Sequence, residues 1–117
     1  MTYVKLQELI DAQFHHRCST WERGNITNFV ASDLMSDVLT VDDEDFVLVT
    51  SLTSDQVART ADIVGARAIL LVNGKQPQNR LIELVGELNI SLLSCKERMF
   101  KTCYILGRAL SEEGISL

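Results

Sequence analysis

Several groups of residues in this 117-residue chain have types and spacings that could do chemistry. His15-His16-Arg17-Cys18 offers three soft metal ligands in a row of four. On a strand, however, His16 and Cys18 face one way and His15 the other. A tetrahedral zinc site needs further ligands, and no second spaced Cys/His pair follows. Cys95 stands where an apolar run gives way to a helical pattern, the position at which a helix dipole can activate a thiol. It has no histidine near it in sequence, so a buried inert thiol is the simpler expectation. Cys103 falls on an apolar helical stripe and reads as core. Asn73-Gly74-Lys75 sits between a strand-like and a helix-like segment, as phosphate-binding loops do, but neither GxxxxGK[ST] nor GxGxxG is present. Asp33 and Asp37 carry too few oxygens for calcium and read as the start and the solvated face of a helix.

The elements that must position these residues are set by hydropathy. Three short, nearly continuous apolar runs begin at Phe46, Ala68 and Ile90. Runs of this kind are strands covered on both faces. Val57, Ala61 and Val64 have helical spacing after Ser54-Asp55, with Gly65 placed to end the helix. Leu81, Val85 and Leu88 repeat the pattern after Pro77, read as the first helical turn. A last helix is expected over about Glu97 to Leu110, with Met99, Cys103, Leu106 and Leu110 on its apolar stripe. Thr102, Ile105 and Ala109 then fall in a polar arc, and Ile105 and Ala109 become candidate interface residues. Tyr3, Leu6 and Ile10 predict a first helix, Phe14 to Cys18 a short strand, and Ile26 to Ala31 another. The latter leads into a helix that buries Leu34, Met35, Val38 and Leu39 and is capped by Ser32 or Asp33. Helical crossovers of this length join parallel strands. The expected fold is α/β, a single domain over residues 1–117 with a mostly parallel sheet flanked by helices. In such a sheet Ser51-Leu52-Thr53, Asn73-Gly74-Lys75 and Ser94-Cys95-Lys96 share the carboxyl edge of the strands, where ligands usually bind. Ser51, Thr53, Asn73, Gly74, Lys75 and Ser94 are therefore the candidate ligand residues. The same residue types also serve as caps and turns, and that use stays open.

Composition bounds the partners. The formal charge is −5, from 16 acidic and 11 basic residues. No clustered basic surface is evident for nucleic acid or for a membrane surface. No apolar run approaches a membrane span, and the start of the chain has no signal-peptide core. Three cysteines without a CxxC pair fit reduced thiols in a cytoplasmic protein. The sequons at Asn25 and Asn89 then carry no meaning. The acidic run Val41-Asp42-Asp43-Glu44-Asp45 reads as a solvated loop.

In local wording the chain resembles the DRTGG domain family. The likeness rests on T-N-F-V-A-S-D-L-M-S-D-V-L from Thr27, D-F-V-L-V-T from Asp45, A-R-A-I-L-L-V-N-G-K-Q-P from Ala66 and N-I-S-L-L-S from Asn89. It spans about Asn25 to Leu110. The signature itself is degenerate: Thr27 matches its threonine, but Asn28-Phe29 stand where the family has a glycine pair. The resemblance implies a fold similar to the N-terminal domain of HPr kinase/phosphorylase and to the nucleotide-sugar-binding domain of muramoyl ligases. It supplies no catalytic residues, metal or cofactor. It implies a non-catalytic regulatory or accessory domain that self-associates, as a dimer, and senses a small anionic metabolite or nucleotide. The alternative is an adaptor for a larger enzyme, such as a hydrogenase or a signalling kinase system.

Overall fold

The structure is a computed structural model that describes residues 1–21 and 23–117. Its centre is a five-stranded sheet in the order β1-β5-β4-β3-β2. β2 (Phe29–Ala31), β3 (Val47–Thr50), β4 (Ala68–Leu71) and β5 (Ser91–Ser94) run parallel, and β1 (Gln13–His16) lies antiparallel against β5. Side chains alternate across the strands and build two cores. Val47, Val49, Leu70 and Leu93 face α1 (Tyr3–Ile10) and α5 (Met99–Glu112). Leu48, Ile69, Leu71 and Leu92 face α2 (Met35–Val38), α3 (Gln56–Val64) and α4 (Asn79–Leu88). Every residue of β3, β4 and β5 is buried, which is why these strands read as unbroken apolar runs.

Local chemistry ends the helices where the sequence pattern places their ends. Gly65 closes α3 at φ 78°, where a glycine avoids the Cβ penalty, and its N–H returns to the Ala61 and Asp62 carbonyls. Asn89 closes α4 in the same left-handed region. Leu81 is fully buried on α4, a contribution of about 1.5–3 kcal/mol. Pro77 lies outside α4, immediately before the N-cap Gln78, rather than in its first turn.

Two further expectations are corrected. Within the expected polar arc of α5, Arg98, Lys101 and Arg108 are exposed, but Thr102 is 0% and Ala109 5% exposed, and Ile105 packs on the first core. α5 touches both the sheet and α1, so its buried surface is wider than one stripe. Its exposed large residues are instead Phe100 and Tyr104. Around β2, only Met35 and Val38 of the expected helical face are buried, while Leu34 and Leu39 are exposed. α2 is a single turn whose N-cap is Leu34, with no side-chain cap.

Candidate functional site

The parallel run of β3, β4 and β5 brings the three predicted loops to one edge of the sheet. Their side chains are largely engaged by other parts of the chain. Ser51 donates its amide at 2.7 Å and its hydroxyl at 2.6 Å to the Asp33 carboxylate, and the Thr50 hydroxyl donates to the same group at 2.9 Å. Asp33 therefore locks the end of β3 to the β2–α2 junction instead of capping α2. Burial pushes its carboxyl up, but the Ser51 amide and hydroxyl and the Thr50 hydroxyl outweigh this and hold it below its ordinary range. Thr53 accepts from the Gln78 side chain at 3.5 Å, and its carbonyl accepts from the Gln78 amide. Asn73, at φ 64°, accepts the first amide of α5 from Met99 at 3.1 Å. It also donates its own amide to the Glu97 carbonyl. Ser94 shares a 2.8 Å hydrogen bond with His15 Nε2.

What remains open is a cleft of about 160 Å³ bounded by Asp11, Gln13, Gly74, Gln76, Ser94, Cys95 and Lys96. It unites Gly74 and Ser94 from the predicted set and adds Lys96 from the third loop. Ser51, Thr53 and Asn73 lie outside its lining, and Lys75 is exposed on the neighbouring turn. A Cβ on Gly74 would meet nothing within 4 Å, so it is the φ of 67°, not packing, that favours glycine there. Asp11, Gln13 and Gln76 escaped sequence reasoning. The first two arrive through α1 and the antiparallel β1, a pairing that no local pattern announces.

The nucleophile candidates are quiet. Burial pushes the Cys95 thiol up, and the Thr102 hydroxyl and Glu97 amide do not offset it. The sulfur lies 3.8 Å from the Thr102 hydroxyl on the first turn of α5, yet burial still dominates and keeps the thiol raised. Burial also pushes Cys103 up. Burial lowers the His15 pKa, which favours the neutral ring. Its bond to Ser94 satisfies a serine only 4% exposed, and among the described residues no third group orients the ring. His16 is held by the Ile90 carbonyl through Nδ1. Among the described residues no three His, Cys, Asp or Glu side chains converge in a group able to hold a metal. No helix is long and apolar enough to cross a membrane.

A second cavity, about 310 Å³ and mostly apolar, lies beside β2, bounded by Phe29, Ala31, Val49, Cys103, Gly107 and Leu117. Phe29 is an ordinary strand residue there, so the backbone freedom of a glycine pair is absent at this position.

No family model matches the sequence, and no curated protein does. The fold is similar to a solved structure, the CBS and DRTGG domains of the regulatory region of Clostridium perfringens pyrophosphatase complexed with the activator diadenosine tetraphosphate. The superposition has a TM-score of 0.71, covers 99% of this chain and has 12% identity. This chain spans 50% of the length of that one. At such low identity the likeness is one of architecture: an α/β fold similar to that of this CBS and DRTGG region.

Proposed function

We propose that the chain is a non-catalytic regulatory or accessory domain that binds a small anionic metabolite, of the nucleotide class, at the strand carboxyl edge. The observation that carries this is the division of labour at that edge. Ser51, Asn73 and Ser94 are occupied by Asp33, α5 and His15, and the Cys95 thiol is raised by burial. The cleft that is left offers a carboxylate, two carboxamides, the Gly74 turn and a lysine beside a raised thiol, a lining suited to holding a ligand rather than transforming it. Lys96 there and Lys75 on the adjacent turn supply positive charge. The Asp11 carboxylate asks the ligand for donors, and the two glutamines can accept or donate, which suits the hydroxyls and amines of a nucleotide. The similar fold in a regulatory region that carries a nucleotide activator supports the same class.

The test is thermal shift of the chain against mononucleotides, dinucleoside polyphosphates, nucleotide sugars and acyl phosphates. A ligand at about one hundred times its Kd stabilises the folded chain by about 2.7 kcal/mol. The shift should vanish in Lys96→Gln. No shift with any compound, or one that survives Lys96→Gln, rejects the cleft. Self-association as a dimer belongs to the same proposal. The groove between α1 and α5, where Leu9 and Tyr104 stand exposed beside the half-buried Ile105, is the surface for it. Light scattering that finds only monomer at high micromolar concentration removes that part.

The alternative is an adaptor for a larger enzyme. It is favoured by the exposed acidic run Asp42-Asp43-Glu44-Asp45, which would meet a basic surface. Salt-sensitive co-purification of a native partner tests it.

A further inference from the structure

The two edges of the sheet are finished differently. β1 carries a register shift between Phe14 and His16, and Arg17 follows with its guanidinium 4.2 Å from the Phe14 ring centre. Irregularity and charge of this kind keep an edge from pairing. β2 has neither. The Val47 amide donates to the Asn28 carbonyl and the Ser32 amide to the Val49 carbonyl, so Asn28, Val30 and Ser32 face β3 in the parallel register. By the alternation of such a ladder, the N–H and C=O groups of Phe29 and Ala31 point outward. Among the described residues nothing takes them up. The apolar cavity bounded by Phe29, Ala31, Cys103 and Gly107 opens beside the same edge.

Carboxylates stand at both ends of this uncharged stretch. Asp33 follows it, and Asp43 accepts from Asn28 Nδ2 at 2.6 Å just before it. We infer that the β2 edge docks an extended segment of another protein, apolar at alternate positions and flanked by lysine or arginine. Main-chain groups of that segment bond to Phe29 and Ala31, and its alternate side chains enter the cavity. A second copy of this chain is disfavoured. Paired antiparallel about Val30, it would bring Asp33 of each copy towards the Asn28–Asp43 end of the other, so like charges would meet. The inference rests on the adaptor reading and names its surface; it is independent of the ligand cleft.

The test uses the full chain and two fluorescent peptides, KVTVTVK and its acidic twin EVTVTVE, read by anisotropy. The basic peptide is expected to bind at least about tenfold more tightly and to weaken severalfold as salt rises, because exposed charges are screened. Ala31→Pro removes one outward N–H while leaving the Ser32 bond to β3, a substitution an edge strand tolerates. It should weaken the basic peptide about tenfold or more. Should that variant unfold, Asp43→Lys replaces it and should narrow the gap between the two peptides. Equal binding of both peptides, no binding, or binding indifferent to these substitutions overturns the inference. A dimer that Ala31→Pro abolishes also overturns it, in favour of a second copy. If the peptides fail while a native partner is still retained in a salt-sensitive way, the adaptor reading survives and only the edge is wrong.

Discussion

Replacing Asp33 by alanine tests the lock between β3 and the β2–α2 junction. The substitution removes an acceptor for three donors. The Thr50 hydroxyl belongs to a residue 0% exposed, and leaving it without that acceptor costs about 1 kcal/mol. The Ser51 amide and hydroxyl are half-buried and regain water, so each loses about 0.5 kcal/mol. The sum is about 2 kcal/mol, and a domain of this size loses about 4 °C of Tm per kcal/mol, hence about 8 °C. Asp33→Asn keeps one oxygen and should lose about half as much. The pH dependence follows from the sign of the shift. Asp33 has a folded pKa below its ordinary 3.8. Its contribution is therefore complete above that value and fades as pH falls through the folded pKa. Thermal melts of the native and Asp33→Ala chains at pH 7 and at pH values descending below 3.8 should converge. A loss of less than about 2 °C at pH 7 would refute the lock. So would a gap that holds or widens in acid.

Two other outcomes are expected. Asn73→Gly preserves the left-handed backbone but removes the side-chain acceptor for the Met99 amide, so denaturant titration should find about 1 kcal/mol lost, the net worth of one such hydrogen bond; no change would mean that α5 does not need that acceptor. Cys95, raised by burial, should resist a thiol-reactive probe in the folded chain at pH 7 to 8 and react only on unfolding. Rapid native labelling followed by peptide mapping to Cys95 would restore the nucleophile reading.

The parts of the fold legible in the sequence are those whose burial is periodic. β3, β4 and β5 are covered on both faces and so read as apolar runs, and α3 announces its end through Gly65, whereas the left-handed Asn89 that closes α4 carries no such signal. The S-D-L-M-S-D-V-L wording pointed to the DRTGG architecture that the structural comparison supports. α2 misled because its leucines keep helical spacing, while Asp33 is drawn to β3 and the helix shrinks to one turn. α5 misled because it packs on two surfaces at once. The polar residues of the carboxyl edge were correctly placed at that edge by topology, but their partners were invisible. Asp33 lies 17 residues before Thr50, Asn73 26 before Met99 and His15 79 before Ser94. Polar pairing has no period, so composition and spacing could not tell a ligand residue from a lock.

The antiparallel seat of β1 has a consequence for the order of folding. From β2 to β5 each new strand joins the one made just before it, so that half of the sheet can grow as the chain is synthesised. β1 is made before all of them but pairs with β5, Gln13 against Ser94. At ribosomal rates of about 5–20 residues per second, it waits roughly 4–16 s for its partner. During that interval α1 also lacks α5, so Tyr3, Leu6 and Ile10 have no finished core to enter. α1 and β1 are thus made before the elements that bury them, and until those arrive their apolar face is exposed to chaperones or to misassembly.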